Sequence, residues 1–385
     1  MKKVAIIGAS ELQNPLIIKA KEMGYETHVF AWKAGDIGEQ TADYFYPISI
    51  TEVDEILSIC RKIKPAAITS IASDLASITV NKIANALGLP TNPVETATIA
   101  TNKYEMRKTF LEAGLPTPRF VKVNLDSDLS VVREMTMPII VKPTDRSGSR
   151  GIFKVTSLDG LPKCVAEACA NSFEKHAIIE EFIEGNEYSC ECISQNGTHH
   201  FLAITKKFTT GSPHFIEIGH MEPSDLNAVV IKKALEQIFK ALDALHVWCG
   251  ASHSEFKVTP CGDIRLIEIG ARMGGDCIGS DLVQLSTGYD YVKMTLQTAL
   301  GEPLNVEACP RHAQVAAVRY IMNETDYKHY LDVQTTHAES IVRKSENSKN
   351  EGGLVTDSST RHGFYIATGM NGRELCNLLQ LPIEL

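Results

Sequence analysis

The sequence predicts an α/β, Rossmann-like domain at the N-terminus and an α+β region behind it that contains a small subdomain. Over the first hundred residues, short apolar runs such as residues 4–8 alternate with helix-like segments such as residues 16–23, a pattern typical of parallel strands joined by helices. Further along, strand-like runs are grouped, and a long helix is predicted at residues 228–245. This segregation of strands from helices indicates a second layer of α+β type.

The first domain is predicted to cover residues 1–98. Its further strands are expected at residues 26–31 and 66–71, and its further helices at residues 53–63 and 76–87. The second helix of this series is followed by Gly88, as helices often are after their last turn.

The α+β region is predicted to span residues 99–305, with the small subdomain at about 135–185, and a C-terminal α+β subdomain is expected at residues 306–385. The region begins with a helix at residues 103–113. Strands are predicted at residues 139–142, 152–155, 177–183, 187–194, 252–258, 263–269 and 363–366. Loops are predicted at residues 211–223 and 345–353, which are rich in glycine and polar side chains.

Composition excludes some classes of protein. The 385 residues include 38 basic and 47 acidic side chains, and the net charge of −9 argues against a general surface for nucleic acid or anionic membranes. Apolar runs of about 18 residues do not occur, so a soluble, cytoplasmic protein is expected. The ten cysteines form no C-x-x-C pair, and Cys190 and Cys192 are interpreted as small buried residues on one face of a strand.

Gly8 follows a predicted strand and precedes a helix, as a dinucleotide site would require. Residues 9–13 supply no second or third glycine, and the second strand ends in Phe30-Ala31-Trp32 without an acid that could hold a ribose. A dehydrogenase is therefore disfavoured, and the first domain is interpreted as a scaffold.

Two carboxylates form the sharpest chemical pattern. A hairpin centred between residues 261 and 262 places Glu255 directly opposite Glu268, and simple alternation gives Glu268 the face of Ile264 and Leu266. Opposed carboxylates repel each other unless they bind a cation or share a proton. Mg²⁺ with phosphate oxygens and waters suits such a pair, a shared proton is the competing interpretation, and a register slip would separate the two.

Phosphate-handling residues are predicted in Val141-Lys142-Pro143-Thr144-Asp145-Arg146-Ser147-Gly148-Ser149-Arg150-Gly151. Backbone N–H groups of successive small residues can turn toward one anion. The ammonium of Lys142, at the end of a strand, can reach the same anion, and two arginines add positive charge. Lys206 and Lys207, expected after the next strand, are further candidates.

Taken in this order, these residues resemble the ATP-grasp superfamily, and in particular its carbamoyl-phosphate-synthase-like and L-amino-acid-ligase branch. The similarity covers roughly residues 1–310. It implies a Rossmann-like pre-ATP-grasp domain, an ATP-grasp fold and a lid subdomain. Lys142 then contacts the phosphates of ATP, with Lys103 and Lys206 as further phosphate contacts and Ser147, Gly148 and Ser149 in the lid over them.

The resemblance also assigns the remaining nucleotide and metal contacts. The segment Ile179-Glu180-Glu181-Phe182-Ile183 resembles the hinge that holds adenine, with the backbone of Glu181 and Ile183 as edge contacts, and Glu187 matches the acid for the ribose hydroxyls. Glu255 and Glu268 match the metal-binding acids for Mg²⁺, with Mn²⁺ as a substitute. Many family members carry Asn two residues after the second acid, where this chain has Gly270.

The family activity implied is ligation of a carboxylate to an amine through an acyl phosphate, with Arg272 at the acyl phosphate and a catalytic role for Lys142. A catalytic role for His220 is a hypothesis from its position in the loop before the long helix. The substrates expected are amino acids or small carboxylic acids and amines, without nucleic acid or membrane partners, and a homodimer is an expectation from the family alone. A pocket lined by His214, Glu217 and His220 is a hypothesis for the acceptor, and solvated histidines on a surface loop are its alternative. Other open interpretations are a ligase that uses bicarbonate or formate, and a nucleotide-binding sensor without catalysis.

Overall fold

A computed structural model describes residues 1–212, 215–306, 314–345 and 353–382. His214 and most of the loop predicted at residues 345–353 lie outside these ranges. The strands of the described residues form three sheets: a parallel sheet at the N-terminus, a small antiparallel sheet, and a large antiparallel sheet to which the last part of the chain contributes.

The parallel sheet has the strand order β3-β2-β1-β4. Its central strand β1 is buried from Val4 to Ile7, which explains why this strand is almost entirely apolar. The elements are β1 (Lys3–Ile7), α1 (Asn14–Glu22), β2 (Glu26–Phe30), α2 (Ile37–Thr41), β3 (Tyr44–Tyr46), α3 (Val53–Ile63), β4 (Ala67–Thr69) and α4 (Asp74–Leu87). The short α2 and β3 were not anticipated from the sequence.

The small antiparallel sheet has the order β5-β8-β6-β7 and follows two helices that lead away from the first domain. Helix α7, which was also not anticipated, covers this sheet through Val165 and Ala168, and both lie in one apolar cluster with Val141 and Ile179. The elements are α5 (Val94–Ile99), α6 (Lys103–Glu112), β5 (Phe120–Val123), β6 (Ile139–Pro143), β7 (Phe153–Val155), α7 (Leu161–Asn171) and β8 (Ala177–Glu181).

The large sheet has the order β13-β12-β9-β10-β11-β14-β16-β15. The strands of the C-terminal tail therefore continue the sheet that carries Glu255 and Glu268. The elements are β9 (Asn186–Gln195), β10 (Thr198–Thr209), β11 (Glu217–Glu222), α8 (Ala228–Ala244), β12 (Gly250–Val258), β13 (Ile264–Gly270), α9 (Val283–Thr287), α10 (Tyr291–Leu300), β14 (Val315–Tyr320), α11 (Glu324–Thr336), β15 (Ile341–Lys344), β16 (Phe364–Gly369) and α12 (Gly372–Leu378).

The prediction of a loop at residues 211–223 is wrong for its second half. Strand β11 occupies Glu217–Glu222 and pairs with both β10 and β14. The strand is not evident from the sequence pattern, because it contains a glycine and because its polar residues His220 and Glu222 are buried in protein.

The hairpin of β12 and β13 pairs Glu255 with Glu268, as predicted from the turn. A β-bulge between Glu255 and Phe256 shifts the register by one residue, so that the predicted face of Glu268 is wrong. Ile264 and Leu266 lie in the core beside α8, whereas Ile267 and Glu268 both line a cleft on the other face of the sheet.

Cys190 and Cys192 are buried, with sulfur atoms 3.6 Å apart, and pack in the apolar cluster beneath α8, which confirms their interpretation as small core residues. Among the helices of the described ranges, none is both long enough and apolar enough to cross a membrane.

Candidate active site

The main cleft lies between the small sheet and the large sheet and has a volume of about 180 Å³. It gathers most of the residues that the sequence analysis assigned to phosphate, nucleotide and metal. These are Lys103, Lys142, Ser147, Gly148, Ser149, Glu180, Glu181, Phe182, Ile183, Glu187, Glu255, Glu268 and Arg272.

Lys142 is fixed at the end of β6 by a buried charge network. Its ammonium pairs with Glu180 of β8, and the Nε atom of Arg107 lies 2.8 Å from the other carboxylate oxygen of Glu180. Burial opposes the charge of Glu180, but Arg107 and Lys142 together lower its pKa to about 2. Burial also lowers the pKa of Lys142 from its ordinary value. Glu180 thus orients Lys142 from beneath the cleft.

The segment that follows β8 forms one wall of the cleft. The backbone amides of Glu181 and Phe182 donate to carbonyls of neighbouring segments, each at 3.0 Å. These two amides are therefore already engaged, and a ligand would have to contact other polar groups of this segment. The ring centroid of Phe182 lies 4.7 Å from the ammonium of Lys257, which also donates to the carbonyl of Ile183 at 3.2 Å.

Residues 146–151, here named the lid segment, connect β6 and β7 across the cleft. Ser149 has a φ of 59°, and its hydroxyl donates to the carbonyl of Phe215 at 3.3 Å. The guanidinium of Arg146 stacks 4.4 Å from the ring centroid of Phe173, and its carbonyl accepts from Lys103 at 2.7 Å. The lid segment is thereby tied to both sides of the cleft.

Glu255 and Glu268 face each other across the hairpin, and each has a lysine as counter-ion. Lys207 lies 2.5 Å from Glu255 and 3.0 Å from Glu187, and Lys103 lies 3.0 Å from Glu268. Burial disfavours the charge of Glu255, but Lys207 holds the pKa of this carboxyl well below its usual range. Each of the facing acids therefore has its own lysine as counter-ion.

A second acid–base pair, Glu191 and His253, contacts this hairpin. His253 lies 2.5 Å from Glu191 and 3.3 Å from Glu255, and Glu191 also accepts from the backbone amide of Gly274 at 3.2 Å. Although burial disfavours a charged ring, Glu191 and Glu255 raise the pKa of His253 to about 9. The position of Gly274 leaves no room for a side chain, because a Cβ atom there would lie 2.7 Å from His253.

Arg272 is held by the first domain. Its Nε and Nη2 atoms donate to the two carboxylate oxygens of Asp74 at 2.7 and 3.0 Å. A Cβ atom at Gly270 would lie 3.2 Å from the guanidinium carbon of Arg272 and 3.3 Å from Asp74. Position 270, where many family members carry Asn, is therefore crowded in this chain by the Asp74–Arg272 ion pair.

A second pocket of about 270 Å³ adjoins the cleft and shares Asp74, Ser147, Gly148, Glu217, His253, Glu255 and Arg272 with it. His220 lies in its wall, fully buried, and within the described part of the chain neither ring nitrogen makes a hydrogen bond. Asp276 approaches its Nε2 atom only to 3.7 Å. Burial lowers the pKa of His220, so the ring is neutral at pH 7.

The far wall of the second pocket comes from the C-terminal tail. Arg361 pairs with both carboxylate oxygens of Asp276, at 2.6 and 3.1 Å, and lies 3.6 Å from the ring centroid of Tyr320. The hydroxyl of Ser358 donates to Glu217 at 2.7 Å. The tail thus closes the pocket that the sequence analysis placed near Glu217 and His220.

Residues 135–281 match the family model of the ATP-grasp domain. The central part of the chain is an ATP-grasp domain. The resemblance stated from the sequence is confirmed, and the cleft described above lies mostly within the matched residues.

Two curated ATP-grasp relatives are ligases by name. Alanine–anticapsin ligase of Bacillus subtilis is 28% identical over 278 residues, which cover 63% of this chain and 58% of that protein. D-alanine–D-alanine ligase B of Chromobacterium violaceum is 30% identical over 195 residues, which cover 49% of this chain and 63% of that protein. The chain thus spans little more than half the length of the curated relatives it matches.

The solved structure of an L-amino acid ligase from Bacillus licheniformis superposes with a TM-score of 0.84 at 21% identity and covers 99% of this chain and 96% of that one. This likeness confirms the predicted ATP-grasp fold with its α/β N-terminal domain.

The residues of the cleft fit a nucleotide with Mg²⁺. The carboxyl groups of Glu255 and Glu268 face each other at the end of the cleft that Lys103 and Lys142 line, and carboxylate oxygens are ligands that Mg²⁺ prefers. The described residues hold no cluster of three or more acidic, histidine or cysteine side chains placed as metal ligands. Phosphate oxygens and waters would have to complete the coordination of the metal by Glu255 and Glu268.

Among the described residues, Lys206 is a predicted nucleotide contact that does not line the cleft. Lys206 and Lys207 are within β10 rather than after it, and alternation points them to opposite faces. Lys206 pairs with Asp225 at 2.6 Å, away from the cleft, while Lys207 reaches Glu187 and Glu255. Lys207 therefore replaces Lys206 as the cation of this strand that enters the site.

Sequence reasoning missed His253 and Glu191. His253 stands two residues before Glu255 on the same strand, so alternation alone would have placed both on one face. Glu191 alternates with the buried cysteines of β9 and therefore faces the opposite side of the sheet. A charged residue between two core residues was the available signal.

Proposed function

We propose that the protein is an ATP-dependent carboxylate–amine ligase that forms an amide bond through an acyl phosphate and releases ADP and phosphate. The observation that carries this proposal is the facing pair Glu255 and Glu268, set between the lysines of the cleft and Arg272 at the border of the second pocket. A nucleotide in the cleft would present its terminal phosphate to a carboxylate in that pocket. The ligase names of the relatives are consistent with this chemistry.

In the first step, an oxygen of the substrate carboxylate attacks the γ-phosphorus of ATP, and the bond to the β-phosphate oxygen breaks. The products of this step are an acyl phosphate and ADP. Lys142 and Lys103 are fixed cations beside the phosphates and act without rearranging. Bound Mg²⁺ would offset the phosphate charge that builds up during transfer.

In the second step, an amine attacks the acyl carbon, and inorganic phosphate leaves as the amide forms. Arg272, held by Asp74, faces both cavities and can stabilise the oxygen that becomes negative in the tetrahedral adduct. His220 is buried and neutral, so that a ring nitrogen can take the proton that the amine loses.

The test is a screen of the purified protein with ATP and Mg²⁺ against pairs of amino acids and small carboxylic acids. We expect ADP and phosphate only with particular pairs, together with an amide of the expected mass. Glu268→Gln should lower turnover about 100- to 1,000-fold, because one charge of the facing pair is lost. Glu236→Gln, at an exposed position of α8, is the matched control and should leave turnover unchanged.

Release of AMP and pyrophosphate would contradict the acyl-phosphate route and the role given to Arg272. ADP formation that depends on bicarbonate or formate alone would contradict the amine as acceptor.

A further inference from the structure

Among the residues that the structure describes, three arginines line the second pocket: Arg150, Arg272 and Arg361. Two of them are already neutralised by carboxylates. Arg272 is bound bidentately by Asp74, and Arg361 is bound bidentately by Asp276. Each of these two guanidinium groups therefore already has a carboxylate counter-ion in the protein.

Arg150 differs from the other two. It lies half-buried in the lid segment and, within the described ranges of the chain, makes no hydrogen bond and no ion pair. The charge of Arg150 acts on Asp357 of the tail. Burial raises the pKa of Asp357, but hydrogen bonds from Ser359, and then the charge of Arg150, bring this pKa below its ordinary value. Asp357 is engaged by Ser359, at 2.5 Å to its hydroxyl and 2.8 Å to its amide.

The lid segment presents its residues to two cavities. Ser147 and Gly148 line both the main cleft and the second pocket, and Ser149 lines the cleft. Arg150 lines the second pocket, opposite Ser358 and Ser359 of the tail. Its charge is therefore directed at the acceptor side of the lid rather than at the nucleotide side.

We propose that Arg150 binds a carboxylate of the acceptor, so that the amine used by this protein carries a free acid group, as an α-amino acid does. Among the described residues no carboxylate lies within ion-pair distance of Arg150, and a guanidinium so placed and partly removed from water gains most from a bidentate carboxylate partner. The inference rests on the proposed ligase function. It also makes the lid segment sense the acceptor, because Ser147 and Gly148 line both cavities and Arg150 lines the second pocket.

The test compares acceptors that differ only in this acid group. The twenty standard amino acids and their primary amides all keep the amine that reacts, and each is supplied with ATP, Mg²⁺ and the donor acid found in the screen. We expect the wild type to prefer the acids. Arg150→Gln should lower kcat/KM for the acids about 10- to 100-fold and leave the amides and the KM for ATP unchanged.

Arg133→Gln is the matched control, because Arg133 is exposed and lies on the same subdomain outside both cavities. Equal losses for acids and amides in Arg150→Gln, or no loss for either, would overturn the proposal. A raised KM for ATP would also overturn it, since Arg150 would then serve the nucleotide.

Failure of the ligase function itself gives a different result. In that case the wild type releases no ADP with any pair, and the same acids and amides are titrated calorimetrically into protein loaded with Mg²⁺ and a non-hydrolysable ATP analogue. Binding of an acid that Arg150→Gln weakens, with its amide unaffected, supports the carboxylate site without any turnover. Failure of all acids to bind, or equal binding of acids and amides, overturns it.

Discussion

At the scale of single residues, the most demanding position of the site is Gly274. A Cβ atom there would lie 2.7 Å from the Nδ1 atom of His253 and 3.0 and 3.1 Å from the two carboxylate oxygens of Glu191. The neighbouring Gly275 has no such restriction, because its Cβ atom would meet Ala72 at 3.5 Å. Substitution of the two adjacent glycines by alanine is therefore expected to have different effects.

We predict that Gly274→Ala lowers the free energy of unfolding by about 3 kcal/mol, because the added methyl group separates a buried acid from its histidine. Urea unfolding measures this change. Gly275→Ala, the control, should change the free energy of unfolding by less than about 1 kcal/mol. Similar losses in both variants would show that the Glu191–His253 pair is not what the glycine protects.

Residue identities were largely predictable where short motifs carry them, and orientations were less so. Glu255 and Glu268 were paired correctly because the hairpin turn fixes the register. Lys206 was chosen over Lys207 because the sequence does not show which face of β10 meets the cleft. The Asp74–Arg272 bond joins residues 198 positions apart, and such contacts depend on the packing of domains rather than on any local pattern.

At the scale of elements, β11 shows how a strand can bury charged residues. Glu222 on this strand is fully buried and accepts hydrogen bonds from Thr205 and Ser286, both at 2.6 Å. Burial raises the pKa of Glu222 to about 7 from its ordinary 4.5. The element was predicted as a loop because its polar side chains face other protein groups, which composition alone does not reveal.

We predict that the stability of the wild type falls relative to Glu222→Gln as the pH rises from about 4.5 to about 7. In this window the carboxyl is ionised in the unfolded chain but still protonated in the folded one, so ionisation favours unfolding. The stability contributed by the neutral acid is complete below the unfolded pKa and is lost through the folded pKa. The relative gain of the variant should reach about 3 kcal/mol above pH 7.

Urea unfolding at about pH 4 and about pH 8 tests this shift, with the exposed Glu236→Gln as control. A difference between wild type and Glu222→Gln that is the same at both pH values would contradict the burial of a neutral acid in β11.

The β12–β13 hairpin gives the same lesson for element detail. Its register followed from the turn, but the bulge that brings Ile267 and Glu268 into the cleft together has no sequence marker. A one-residue irregularity reverses the face of every later side chain, and alternation cannot detect it.

At the scale of the whole molecule, the active site is charge-balanced inside an acidic protein of net charge −9. Lys103 and Lys207 neutralise Glu268 and Glu255 before any nucleotide arrives. Phosphates that attract these lysines leave two carboxylates uncompensated, unless a metal ion takes their place.

We predict that ATP binds about 100-fold more weakly when Mg²⁺ is removed with a chelator, because only the magnesium complex supplies a cation for Glu255 and Glu268. Calorimetric titration with and without Mg²⁺ measures the difference. Adenosine, which has no phosphates, is the control ligand and should bind equally under both conditions. ATP affinity that does not depend on Mg²⁺ would contradict the exchange of counter-ions.

Helix α4 of the first domain begins at Asp74, which is the bidentate partner of Arg272 in the main cleft. The N-terminal domain therefore contributes to the proposed catalytic site and is not only a support for it. In a chimera built by exchanging this domain with that of a relative, sheet and core could be preserved while Arg272 lost its orientation. Exchange of the N-terminal domain between relatives is thus limited by one carboxylate at the start of α4. The domain that carries Asp74 and the part that carries Arg272 have to be kept together.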